Sequence, residues 1–380
     1  METADIVIAG AGVLGLACAL ELRRRGARVV VVERGQPMQE ASWAAAGMLA
    51  AYDPENPSAL LALAAHSQAL YDGFLRSVEA LSGISVAYRT QETLQQLSDA
   101  LPLPTSTQYR QLTPAQAERR LPGLSSGGHR FLLLPERSLD PRDLCLAMPL
   151  AARAAGIEIR TGAAVRSVSH TGSGVRVEMD DGQIEAGFYL NCMGAWAGTL
   201  QGDAADAGTA IAPRKGQMAV VRLPQGAGLP SVIRSRQVYL VPRGDGRVVV
   251  GATVEEAGFD KRIVPEAVDA LLTPAAVLWP ALRQAVIVDR WAGLRPGTAD
   301  DLPLIGVWGT GVSAEETLGA PARCFIAAGH FRNGILLAPA TADVVGSLIA
   351  GEPPQVALEA FAPDRGRTRR SCDKHFTAAL

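Results

Sequence analysis

The sequence lacks long apolar runs. No stretch reaches eighteen apolar residues, and the nearest candidate, close to the C-terminus, is interrupted by Pro339 and Asp343, so no membrane partner is expected. Cysteine is sparse. Cys18, Cys145, Cys192, Cys324 and Cys372 are scattered, odd in number and form no C-x-x-C pair. That suits a reducing compartment and offers no metal site. Basic charge is not concentrated: the net charge is −2 and the one basic block runs from Arg365 to Arg370, which excludes nucleic acid as an expected partner. No internal repeat is found. No basic segment followed by an apolar one opens the chain, so a cytoplasmic location is expected. What is present is a chain of 380 residues, 48% hydrophobic and 19% charged, enough to bury the cores of two domains.

The clearest pattern comes first. Asp5-Ile6-Val7-Ile8-Ala9 reads as a buried strand and Leu16 to Arg25 as a helix. Gly26 ends the helix, and Val29 to Glu33 reads as a second buried strand. Between the first strand and the helix lies Gly10-Ala11-Gly12-Val13-Leu14-Gly15. In this setting Gly10 makes the tight turn, Gly12 admits a pyrophosphate, and Gly15 lets helix and strand approach. Glu33 stands where a carboxylate accepts from ribose hydroxyls. An adenine dinucleotide is therefore expected, FAD or NAD. The small-residue run Ala41 to Leu49 follows, and suits either a backbone lying against a flat ring or an ordinary tight loop.

The next segments alternate in character. Ala59 to Leu81 reads as an amphipathic helix with Leu63, Leu70, Phe74 and Val78 in the core, His66 as a packing residue, and Ser82-Gly83 as its end. Pro102, Pro104, Pro114 and Pro122 mark turns, and Thr113-Pro114 starts a short helix. Asp140 begins a helix running to Ala155. Ile157–Ile159 and Val165–Val168 are strands, and a hairpin turns at Asp180-Asp181-Gly182. Gly187 to Cys192 is a further buried strand, before Met193-Gly194-Ala195-Trp196. Pro213 to Arg222 and Gln237 to Thr253 read as long antiparallel strands, and Pro265 to Leu282 as helical. Asp289 to Thr298 is expected to return to the first domain. Val307 to Pro321 is a Gly- and Ser-rich surface loop, and Pro363 to Leu380 a frayed tail.

Near the end, Cys324-Phe325-Ile326 reads as a strand and Ala342 to Ile349 as a helix. The turn between them holds Gly329-His330-Phe331-Arg332-Asn333-Gly334-Ile335-Leu336. Such a turn presents N–H groups and a positive helix end to an anion. Arg295 offers a planar, bidentate site for a carboxylate. Its alternative is a structural ion pair with Asp300 or Asp301. Tyr239 is either a hydroxyl donor in a site or an ordinary strand aromatic.

Taken with the glycine turn and Glu33, four motifs carry a family resemblance: Ala44–Leu49, Tyr239–Arg243, Trp291–Thr298 and Gly329–Pro339. The chain resembles the glycine oxidases, the thiamine-pathway branch of the D-amino-acid oxidase group, over nearly its whole length. The resemblance implies α/β plus α+β architecture: a discontinuous Rossmann-like FAD-binding domain (1–83, 140–212 and 290–362) with an antiparallel-sheet substrate domain (84–139 and 213–289) inserted, and a flexible tail (363–380). It implies noncovalent FAD held by Gly10, Gly12, Val13, Leu14, Gly15, Glu33, Arg34, Ser42, Trp43, Ala46, Gly47, Met48, Val165, Gly194, Trp196, and by His330, Phe331, Arg332, Asn333, Gly334, Ile335 and Leu336. Trp43 departs from the small hydroxyl residue expected there. Arg295, Tyr239 and Arg332 are the implied catalytic residues. The implied substrates are oxygen and a small amine: glycine, sarcosine or a small D-amino acid; the alternatives are an oxidase or dehydrogenase for another D-amino acid or secondary amine (sarcosine, D-proline), and a flavin-binding subunit without turnover. The implied products are glyoxylate, ammonia and H2O2, formed by hydride transfer to flavin N5. The resemblance also implies a homo-oligomer, a tetramer.

Overall fold

The computed structural model describes residues 3–97, 109–202, 211–308 and 323–365. Pro102, Pro104 and Cys372, most of the Val307–Pro321 loop and all but the first three residues of the expected tail lie outside these. Arg365, within them, is tied to Asp300 at 2.8 Å, so the tail is anchored where it begins.

The first sheet is built on five parallel strands in the order Cys324–Ala328, Gly182–Asn191, Thr3–Ala9, Val29–Glu33, Glu158–Thr161, with Leu304–Val307 antiparallel at one edge. Side chains alternate across it, as a pleated strand requires. Ile6 and Ile8 face the core packed by the helices Val13–Arg24, Leu61–Ser82, Pro141–Ala154 and Gly334–Ala350. Val7 and Ala9 face the other side, against Val165, Val175 and Val177. The hairpin strand and the buried strand expected separately at 184–192 are one strand, Gly182–Asn191. Its first half pairs with Val175–Met179 and its second with Thr3–Ala9 and Cys324–Ala328.

The last helix is mostly apolar, Asp343 being its one charged residue, and accordingly buried along most of its length. Pro339 inside it has no N–H for the carbonyl of Ile335. Tyr71 Oη donates to that carbonyl instead, at 3.0 Å. One turn away on the same helix, Ser67 Oγ donates to Leu336 O at 2.6 Å and accepts from Ala340 N at 3.2 Å. A neighbouring helix thus supplies what the proline removes. The buried row of Leu61–Ser82 is Leu63, Ser67, Tyr71, Leu75 and Val78; Leu70 and Phe74, expected in the core, are only half-buried.

The second sheet has eight strands, in the order Val286–Gly297, Ala212–Arg222, Arg247–Gly251, Tyr239–Pro242, Val232–Arg234, Thr93–Gln96, Phe131–Leu134, Arg110–Leu112. It is antiparallel except that Val232–Arg234 runs parallel to Thr93–Gln96. The segment expected to lead back to the first domain, Asp289 to Thr298, lies almost wholly in a strand of this sheet, pairing with Ala212–Arg222. A boundary at 289/290 therefore falls inside a strand. The helical stretch expected from Pro265 to Leu282 is broken into Pro265–Asp269, Leu272–Leu278 and a 3-10 turn, Pro280–Gln284. Thr113 caps Pro114–Arg120 through a reciprocal pairing with Gln116, as Thr-Pro-x-Gln promises.

Candidate active site

Ala9, Glu33, Asn191 and Ala328 end parallel strands at one edge of the first sheet. Such an edge is where open α/β sheets form their ligand crevice. A cavity of about 470 Å³ opens there, between the two sheets.

On the first-sheet side it is lined by Gly10, Gly12, Val13, Leu14, Glu33, Arg34, Val165, Gly194 and Trp196. Gly10 has φ of +99°, and a Cβ on Gly15 would lie 1.8 Å from the Gly10 carbonyl, so helix and strand touch through bare backbone. Glu33 accepts from Ala11 N at 2.8 Å and from Gly35 N at 2.9 Å. Ser42 Oγ accepts from Val13 N at 3.0 Å, filling from a distant segment the cap that Gly12 cannot provide. The Arg34 guanidinium lies 3.5 Å over the Trp196 ring and pairs with Glu40 at 2.8 Å.

The small-residue run forms the bridge between the sheets. Ser42, Ala46, Gly47 and Met48 line the cavity. Trp291 Nε1 donates to Ala44 O at 3.1 Å, and the buried Arg243 donates to Ala46 O at 2.9 Å, so the second sheet holds this run in place. Trp43 does not line the cavity. It is half-buried beneath the Arg142 guanidinium, 4.9 Å away, so its bulk stays out of the crevice. Leu336 also stays out, packed in the core.

The turn before the last helix closes one wall. His330, Phe331, Arg332, Asn333, Gly334 and Ile335 all line the cavity. Phe331 has φ of +47°, an uncommon conformation for a side chain, and its N–H donates to Pro296 O at 2.8 Å. His330 Nε2 lies 3.0 Å from Thr341 Oγ1, while its buried Nδ1 has no partner. Burial pushes the imidazole down to about 3, so it is neutral at ordinary pH.

On the second sheet a single row of register partners crosses six strands: Gln95, Arg234, Tyr239, Gly251, Met218 and Trp291. Partners in register share a face, and the first five line the cavity. A Cβ on Gly251 would lie 2.4 Å from the Tyr239 ring, so the glycine makes the space the ring fills. Tyr239 Oη donates to Met218 Sδ at 3.6 Å, and burial raises the phenol above its ordinary range. Arg295 reaches the cavity from Val286–Gly297, with its guanidinium flat against Gly216 and Nη1 donating to Thr253 O at 3.1 Å. Among the described residues no carboxylate pairs with it. Asp300, one of the partners weighed for it, holds Arg365 instead.

Sequence reasoning missed Arg234, Asp53, Gly216 and Gly251. Only pairing register brings Arg234, Gly216 and Gly251 beside their site neighbours, while Asp53 comes in from the segment after the small-residue run. His66, read as a packing residue, lies 2.9 Å from Asp343, away from the cavity.

The cradle of bare backbone under Gly10 and Gly15, the acid at Glu33, and an orphaned imidazole nitrogen on the far wall fit an adenine dinucleotide with a planar ring system. A model of the family described as "FAD dependent oxidoreductase" matches residues 5–348. The chain belongs to that family of FAD-dependent oxidoreductases, and FAD is its cofactor. It is 34% identical over 96% of its length to the bifunctional protein ThiO/ThiG of Synechocystis sp., but spans only 54% of that relative. It is 32% identical to the glycine oxidase of Pseudomonas aeruginosa, covering 94% of this chain and 98% of the relative. The solved glycine oxidase of Geobacillus kaustophilus superposes with a TM-score of 0.85 at 29% identity, covering 96% and 99% of the two chains. Among the described residues no helix is long and apolar enough to cross a membrane, and no cluster of His, Cys, Asp and Glu suits a metal ion.

Proposed function

We propose that this protein oxidatively deaminates glycine and comparably small amines, sarcosine and small D-amino acids among them. The observation that carries this reading is Arg295: a fixed cation in the cavity, beside Tyr239, with no carboxylate of its own. A small amino acid supplies the missing carboxylate.

Gly10, Gly12, Val13 and Leu14 would receive the pyrophosphate, Glu33 and Arg34 the adenosine ribose, and Val165, Gly194 and Trp196 the adenosine side. Ala46, Gly47 and Met48, with His330 to Ile335, would surround the flavin. When bound, the cofactor supplies a hydride acceptor at its ring. Arg295 pins the substrate by its acid group, and the Tyr239 hydroxyl exchanges its contact with Met218 Sδ for a hydrogen bond to the same group. The start of the helix Gly334–Ala350 offers a positive end toward the ring site. His330 stays neutral and adds no competing charge. Overall, glycine, O2 and water give glyoxylate, ammonia and H2O2. The likeness to the bifunctional ThiO/ThiG protein supports a place in the thiazole branch of thiamine synthesis.

The test is spectral. Anaerobic addition of glycine, sarcosine or small D-amino acids should bleach the flavin absorbance of the purified holoprotein, and readmitted oxygen should restore it with peroxide formed. A flavin that none of these amines bleaches refutes the reading.

A further inference from the structure

Around Arg234, on the second-sheet wall, the cavity carries carboxylates that the proposed reaction does not use. Arg234, register partner of Tyr239, is 5% exposed. Its Nε donates to Gln95 Oε1 at 2.6 Å, Nη2 lies 2.9 Å from Glu136 Oε2, and Nη1 lies 3.7 Å from Asp53 Oδ2. Arg332 reaches the same Asp53 at 3.9 Å and Glu55 at 3.6 Å. Glu136 is fully buried behind them, its other oxygen accepting from Tyr52 N at 2.9 Å. Here two guanidiniums face three carboxylates, whereas Arg295 faces none. The remaining cation on this wall, Arg236, is exposed at a hairpin tip, where water and salt screen it.

We propose that Asp53, held between Arg234 and Arg332, determines specificity by restricting the site to amines with one acidic group and turning away those with a second carboxylate. The proposal rests on the amine-oxidation reading above. Arg295 takes the first carboxylate. Among the described residues a second carboxylate meets no unshared buried guanidinium: Arg234 already faces Glu136 and Asp53, so the newcomer would have to displace Asp53, or lie beside Asp53 and Glu55 as a like charge. A methyl or hydroxyl substituent meets no such charge. Discrimination is built by repulsion of the wrong ligand as well as attraction of the right one.

Sarcosine and iminodiacetate test this, being N-substituted glycines that differ by one carboxylate. The holoenzyme should favour sarcosine in kcat/KM by about tenfold or more. In Asp53→Asn that ratio should fall by about tenfold. Glu55→Gln should move it the same way, and serves if the first variant folds poorly. Acetate and malonate titrations, followed by the flavin spectrum, read the same preference without turnover. They separate failure of this inference from failure of the amine-oxidation reading. Equal handling of sarcosine and iminodiacetate, malonate binding as tightly as acetate, or a ratio unmoved in both variants would overturn the proposal.

Discussion

Gly216→Ala isolates the role assigned to Arg295 without touching that residue. The new Cβ would lie 2.1 Å from Arg295 Nη1 and 2.4 Å from Cζ and Nη2, so the guanidinium must leave its place. What it meets is the far end of a flexible side chain, not backbone. The strand Ala212–Arg222 and its pairing with Val286–Gly297 can therefore persist. Stability should change by no more than about 1 kcal/mol, since alanine suits a strand at least as well as glycine. Substrate binding should suffer far more. Losing one partner of a desolvated, charge-assisted pair costs about 2–5 kcal/mol. Arg295 is displaced here rather than removed, so the lower end applies: about 2 kcal/mol, or roughly thirtyfold in affinity. The assay is titration of the holoenzyme with acetate, followed by the flavin spectrum, alongside KM and kcat for glycine. The acetate dissociation constant and the KM should rise together while FAD content and melting temperature hold. Unchanged acetate affinity in a folded, FAD-loaded variant would refute the assignment of Arg295 as the carboxylate anchor.

Gly15→Ala should behave in the opposite way. Its Cβ would lie 1.8 Å from the Gly10 carbonyl oxygen, which is backbone and cannot step aside, so the glycine turn must open. FAD content per chain, read as the ratio of flavin to protein absorbance, should collapse; normal loading would show that the close approach is not required. His330 gives a pH signature. Its folded value near 3 lies below the ordinary 6.5 because burial disfavours the cation, so the unfolded chain binds the proton first. Stability from this group is fully present above pH 6.5 and is lost as pH falls toward 3. Between pH 7 and 4.5 the loss should be about 3 kcal/mol. Denaturant midpoints at the two pH values should show a slope that His330→Asn reduces, and an equal slope in the variant would disprove it.

The parts of this fold that can be read from the sequence are those fixed by near neighbours. Val29–Glu33 is a run of four valines closed by the acid, and it forms that strand with no shift at either end. Asp140-Pro141 and Thr113-Pro114 each place a capping side chain before a proline, and a helix begins at both prolines. The same logic finds Gly10, Gly12 and Glu33, because the turn, the helix and the acid lie within one βαβ unit. It fails where a function is shared among segments far apart in the chain. Pro339 advertises a break in a helix, but nothing local shows that Ser67 and Tyr71 repair it. Arg234 falls in no strand expected from the sequence, and only register sets it between Tyr239 and Gln95. Gly216 and Gly251 look like weak points in strands, yet each is the space into which a site side chain fits. In this site the residues that contact a ligand can be recognised by their chemistry, whereas those that make room for them carry no chemistry to recognise. The second group becomes legible only once strand pairing is known, which is why the glycine turn can be read in advance and the floor of the cavity cannot.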